Sequence, residues 1–279
     1  MKQRLLVAAI GVPLLILVLV FLPPLATGIL VAAIAGAAAY ELLHTACKRP
    51  NELYGLTILY AALTALMVFS ITAVKSLAID WPQILYPAAA FLYLMGLFFF
   101  AVRTHGTEHA IPFTDVAVCI VAAFLFPAMY GCIALLRSIG PAFVLMPFVV
   151  AFIGDSFSML GGMAFGHKKF APNVSPNKTW AGFIAGPIGS ALGMVILGLI
   201  EKAVWSFTIP LWYLAVIGVV ANLFGQLGDL TTSLIKREVG VKDYSHLFLT
   251  HGGMLDRFDS TLFIAPVVYA MMFLAEAIV

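Results

Sequence analysis

The sequence predicts an all-α, polytopic integral membrane protein of about nine transmembrane helices with its N-terminus in the cytoplasm. Three observations carry this. Of 279 residues, 63% are hydrophobic and 10% charged, and the mean hydropathy is +1.07, more apolar surface than a soluble core of this size can hide. The apolar residues come in long unbroken runs, close to the roughly 20 residues a helix needs to span a bilayer, and not in the short alternating strands of a membrane barrel. The cations also segregate. With the N-terminus inside, Lys2, Arg4, Lys48, Arg49, Arg103, Lys168, Lys169, Lys178, Lys236, Arg237, Lys242 and Arg257 fall on the cytoplasmic side, and only Lys75, Arg137 and Lys202 on the other. Short cytoplasmic loops show this bias.

The expected spans are about 5–22, 26–45, 55–74, 83–102, 114–135, 142–164, 180–200, 210–234 and 260–278. The first follows a basic start, and its apolar run is long for a cleaved leader, so it is read as a helix. The chain reads as one integral domain, 1–279, with N-terminal membrane helices in 1–135 and a catalytic half in 142–279. The polar loops 165–179 and 235–259 of that half then face the cytoplasm, where nucleotides are. Gly182, Gly186, Gly189 and Gly193 form two interleaved GxxxG spacings in the seventh span. Such a face suits close packing, either within the chain or at a seam between two copies. Cys47, Cys119 and Cys132 make no CxxC pair and read as packing residues.

The charges concentrate late: residues 229–259 hold nine of the 28 Lys, Arg, Asp and Glu in the chain. Charges of both signs beside a bilayer are costly and usually have chemical work. Asp155, Asn222, Gln226 and Asp229 sit in or at the edge of apolar runs. Asp229, Ser233, Lys236 and Arg237 recur at i, i+4, i+7 and i+8, which puts them toward one side of the eighth helix. Asp229 requires a cation there, either a metal ion or a structural partner such as Lys236. Asp256 and Asp259 share a face if the start of the ninth span is helical, and with Asp229 they would form a hard oxygen site suited to Mg²⁺. For Asp256 the alternative is a helix cap. His251-Gly252-Gly253 before them is a turn whose bare backbone can approach a phosphate.

In the other polar loop, Ser175, Asn177, Lys178 and Thr179 cluster before the seventh helix. This arrangement suits an anion site, or a basic loop meeting lipid headgroups. His105 to His109 matches HxxEH, but Gly106 and Pro112 argue against the helix a zinc site needs, so it reads as a solvated loop. His44, beside Glu41, reads as an interfacial residue. Cations to hold phosphates and carboxylates to hold Mg²⁺ suggest an enzyme acting on phosphate groups at a membrane surface. A transporter is the rival class; it would place polar residues near the midplane of paired repeats, and neither pattern is visible. No nucleic-acid partner is expected.

Ser233-x-x-Lys236-Arg237-x4-Lys242-Asp243, followed by His251-Gly252-Gly253-x-x-Asp256-Arg257-x-Asp259, resembles the signature of phosphatidate cytidylyltransferases. Asp155-Ser156 and Ser175-Pro176-x-Lys178-Thr179 are similar to that family too, and the specific part covers about 150–260. The resemblance implies transfer of CMP from CTP to phosphatidic acid, giving CDP-diacylglycerol and pyrophosphate for phospholipid synthesis. It also implies dependence on Mg²⁺, with a second cation in related enzymes, and a multi-pass protein of the cell membrane with its site facing the cytoplasm. On that basis Asp229 and Asp256 are the first metal ligands, with Asp155, Asp243 and Asp259 as further candidates. Lys178, Lys236, Arg237, Lys242 and Arg257 hold the triphosphate and the lipid phosphate. Ser175, Asn177, Thr179, Ser233 and His251 complete the site. The chain departs from the family pattern at Ala181 and Thr232, where glutamates are usual, and at Leu249-Thr250, which replaces Pro-Gly. These departures imply, as an alternative, a diverged or inactive relative with another lipid-phosphate substrate.

Overall fold

The computed structural model describes residues 11, 13–47, 53–73, 81–205, 209–245, 247 and 252–275. After a π-helical turn, Leu17–Phe21, come α1 (Pro24–Ala46), α2 (Leu53–Ala73), α3 (Trp81–Thr104) and α4 (Phe113–Ile139, with a π turn at Val121–Leu125). Next are α5 (Met146–Phe165), a hairpin of β1 (Lys169–Ala171) and β2 (Ser175–Thr179), α6 (Trp180–Trp205), α7 (Leu211–Val239) and α8 (Met254–Ala275). Among the described residues seven helices are long and apolar enough to cross a membrane, and α2 adds a shorter apolar stretch, Leu53–Val68. The protein is an all-α polytopic membrane protein. The first expected span, 5–22, lies largely outside the described residues.

Two expectations are corrected. The segment 165–179 is not an open loop: β1 and β2 pair antiparallel, with Lys169 opposite Thr179 and Ala171 opposite Ser175. The hairpin is pinned onto α6 because Phe170 stacks on Phe183 with ring centroids 4.5 Å apart and meets Trp180 edge-on at 4.7 Å. The last helix begins at Met254, not near 260. Its first turn is charged, so hydropathy places it outside the span, yet its open N–H groups find acceptors and the helix extends.

The glycine face of α6 meets α5. A Cβ at Gly182 would lie 2.6 Å from the Ser158 carbonyl oxygen, and one at Gly193 would lie 2.6 Å from Ile153 Cδ1. Of the two uses open to this face, packing within the chain is the one found. α6 approaches α7 as closely, since a Cβ at Gly218 would lie 2.6 Å from the Ser190 carbonyl oxygen. Two apolar clusters result. One lies among α1, α2 and α4 around Leu43, Tyr130 and Ile133. The other lies among α5 to α8 around Met146, Met194, Leu214 and Ile217. α8 belongs to both, giving Leu255 and Leu262 to the first and Ile264 and Val268 to the second. It therefore ties the N-terminal helices to the half that carries the charges.

Gly182→Val should destabilise the fold by about 1–3 kcal/mol through overpacking, read as a lower thermal midpoint in detergent. Ile188→Val, on the exposed side of α6, should leave the midpoint unchanged.

Candidate active site

Two polar clusters lie side by side, one open and one closed. The open one is a cavity of about 430 Å³ between α5, the hairpin, α6 and α7. Its polar lining includes Asp155, Lys169, Asn177, Lys178, Thr179 and Asp229, and its apolar wall includes Met159, Met163, Phe170 and Phe183. Lys178 Nζ on β2 is 2.5 Å from Asp229 Oδ2 on α7, and both side chains are about a quarter exposed, 24% and 29%. Ser233, one turn beyond Asp229, donates its hydroxyl to Asp229 Oδ1 at 3.4 Å. Gln226 Nε2 donates to Asn222 Oδ1 at 2.8 Å and to the Phe183 carbonyl at 3.1 Å, which fixes the floor. Thr179 accepts from Gly182 N at 3.2 Å and so caps α6. Met159 and Met163 are themselves exposed on α5, so the apolar wall continues onto the surface of a helix long and apolar enough to cross a membrane. An anionic headgroup on an apolar tail fits such a lining.

The closed cluster joins α7, the segment after it and α8. Lys236 Nζ lies 2.6 Å from Asp256 Oδ1, with side-chain exposures of 11% and 5%. Asp256 Oδ2 accepts from Tyr244 N and from Gly253 N, both at 2.9 Å. The second contact is half a capping box, an acidic third residue reaching back to the cap. Gly252 before it holds φ at +77°, a left-handed conformation that favours glycine. Tyr244 donates its hydroxyl to the Thr232 carbonyl at 3.0 Å, and its ring centroid is 5.4 Å from Lys236 Nζ. Burial raises the Tyr244 phenol well above its ordinary value, and the charges of Asp256, Asp259 and Glu41 raise it further. The phenol therefore stays a donor.

Glu41, from the last two turns of α1, is the residue sequence reasoning missed. Its Oε1 accepts from Ser245 Oγ at 2.6 Å and Met254 N at 2.7 Å, and its Oε2 accepts from Leu255 N at 2.7 Å. A lone acid in an apolar run was the available signal. Nothing in the sequence names its partners, 204 to 214 positions away.

Asp256 and Asp259 do share the side of α8 that meets α7: Asp256 binds Lys236, and Asp259 binds Thr232 one turn earlier. The helix departs from helical geometry at Phe258 (φ −119°, ψ 16°), where Tyr130 donates its hydroxyl to the Phe258 carbonyl at 3.3 Å. Beyond the bend, Asp259 accepts from Ser260 N at 2.7 Å and from Thr232 Oγ1 at 3.4 Å. Among the described residues no three His, Cys, Asp or Glu side chains converge into a metal-holding group. Arg237 donates from Nε to the Val174 carbonyl at 3.3 Å and from an η nitrogen to the Val241 carbonyl at 3.4 Å, tying the hairpin tip to the end of α7. Lys242, Asp243 and Arg257 are exposed, and Ser175 is half-buried in β2. His251, Leu249 and Thr250 lie outside the described residues. Residues 105–109 form an exposed turn without helix, as the solvated-loop reading expects.

The fold and these clusters define a multi-pass membrane protein that sets lysines and carboxylates beside an exposed apolar wall. A model described as the cytidylyltransferase family matches residues 2–275, and the chain belongs to that family. It is similar to the phosphatidate cytidylyltransferase of Staphylococcus saprophyticus, 35% identical over 166 residues, 60% of this chain and 62% of that one. The Staphylococcus haemolyticus protein of the same name is 33% identical over the same shares. The Staphylococcus aureus (strain COL) one is 32% identical over 206 residues, 72% of this chain and 78% of that one. The chain thus spans less than two thirds of the first two relatives' length, 62% in each.

The two ion pairs should differ in what they contribute to stability. Asp256→Asn leaves Lys236 buried without its counter-charge and should cost about 3–5 kcal/mol. Asp229→Asn, in the better-solvated pair, should cost about 1 kcal/mol or less. Thermal or denaturant unfolding of the two variants in the same detergent reads the difference.

Proposed function

We propose that the protein transfers CMP from CTP to phosphatidic acid, giving CDP-diacylglycerol and pyrophosphate. The names of the curated relatives support this, and one observation carries it to this chain. The Lys178–Asp229 pair lies in a cavity whose apolar lining includes Met159 and Met163, both exposed on a helix able to cross a membrane. A lipid phosphate can then reach charged groups without leaving the bilayer. The half 142–279 does this chemistry and the helices of 1–135 support it. The site faces the cytoplasm at the cell membrane, as the distribution of lysine and arginine supports.

In this reading an oxygen of the lipid phosphate attacks the α-phosphorus of CTP. The bond from that phosphorus to the oxygen bridging to the β-phosphate breaks, and its electrons leave on pyrophosphate. The attacking oxygen is already anionic, so no proton has to be removed. Catalysis rests on bringing two anions together and neutralising them. Lys178 and Lys169 supply positive charge at the cavity, and Lys236 holds its charge just behind. Asp155 and Asp229 offer the oxygen donors that Mg²⁺ prefers and would hold such an ion. Bound there, a divalent ion would polarise the phosphates and offset their charge. Asp229 would hold the ion together with Asp155, and Lys178 beside it would neutralise phosphate.

A second reading, another lipid-phosphate acceptor, draws on Thr232. Where the family pattern has a glutamate, this chain places a hydroxyl against Asp259.

Purified protein in detergent, given phosphatidic acid and CTP labelled in the α-phosphate, should move label into the lipid fraction one-for-one with pyrophosphate. Chelation of divalent ions should stop it. Label passing only to a different lipid phosphate would favour the second reading. No transfer to any lipid phosphate from folded protein would overturn both.

A further inference from the structure

We propose that Glu41 is a positioning residue of the reaction centre, acting through the start of α8 on the Lys236–Asp256 pair. The inference rests on the function proposed above and adds a residue from the opposite half of the chain. Glu41 is 2% exposed, and its two carboxylate oxygens take three hydrogen bonds of 2.6–2.7 Å. Two come from Met254 N and Leu255 N, first-turn donors of α8 that have no partner within their own helix. The negative charge also lies at the positive end of the α8 dipole.

Asp256 follows Leu255 directly, so the backbone Glu41 holds is the backbone that aims the Asp256 carboxylate at Lys236. Glu41 holds the preceding segment as well. Ser245, its third donor, adjoins Tyr244, whose N–H binds the same Asp256 carboxylate. One turn further along α1, Thr45 donates to the Tyr244 carbonyl at 3.4 Å. Gly253 completes the fit, because a Cβ there would collide with the Glu41 carboxylate. A residue that merely capped α8 would need neither the grip on Ser245 nor the glycine.

The test compares wild type, Glu41→Gln and Glu41→Asp, each shown to be folded by elution profile and thermal midpoint. An amine-reactive acylating reagent is quantified at Lys236 by peptide mass spectrometry, with exposed Lys202 as internal reference. In Glu41→Gln, Lys236 labelling should rise several-fold while Lys202 is unchanged, and Glu41→Asp should reverse part of the rise. The turnover number per folded molecule should fall about 10- to 100-fold, the scale of a misplacement near 1 Å, with KM for CTP held within about twofold because Glu41 is buried and both its oxygens are taken by protein donors. A folded Glu41→Gln protein with wild-type Lys236 labelling overturns the proposal. If wild type itself transfers no CMP, the functional reading fails separately and the labelling still decides this one. Should Glu41→Gln not fold, Gly253→Ala presses a methyl group on the same carboxylate and takes its place, with the same two outcomes at Lys236.

Discussion

A charge at the edge of a bilayer must be answered by an opposite charge or by converging dipoles, and this constraint organises the polar end of the molecule. Its tightest expression is the Lys236–Asp256 pair. Lys236 could not stay buried on α7 without Asp256, and Asp256 keeps its place because Gly253 N and Tyr244 N also bind it. The start of α8, the segment after α7 and the charged face of α7 are thus fixed by one carboxylate. Glu41 extends the same logic to α1, and α8 carries it into both apolar clusters.

Beside this closed cluster the cavity is built to different specifications. Its pair, Lys178 and Asp229, is more exposed and joined by a single contact between a strand and a helix. Phe170, clamped between Trp180 and Phe183, and Arg237, bound to the Val174 carbonyl, hold the strand in reach without burying its lysine. A partly exposed pair can exchange partners at smaller cost than a buried one. The contrast suits a site where one set of contacts can yield to a ligand while a second set keeps the frame. Close approach of α5, α6 and α7 through Gly182, Gly193 and Gly218 brings Asp155, Asp229 and the hairpin to one end of three helices.

Much of this was legible in the sequence, for reasons that are local. The apolar runs gave the helices because backbone groups in lipid must be satisfied within each segment. The i, i+4, i+7 spacing placed Asp229, Ser233 and Lys236 toward one side of α7, where they are found, although Lys236 answers Asp256 and Asp229 answers Lys178. What could not be read depends on distant partners. Glu41 looks like any interfacial acid until Met254 and Leu255 arrive from the far end of the chain. Segment 165–179 folds as a hairpin because Phe170 finds the rings of α6. The bend at Phe258, whose carbonyl is taken by Tyr130, falls between two aspartates that both still reach α7, and no local spacing announces it.

The central claim is that Lys236 and Asp256 work as one unit on which the site depends, and a double-mutant cycle tests it most directly. Turnover of Lys236→Met, Asp256→Asn and the double variant would be compared per folded molecule. Residues acting as a unit lose about as much singly as together, so the double variant should be no slower than the slower single one. Losses that multiply would mean that the two side chains act independently, and would contradict the account.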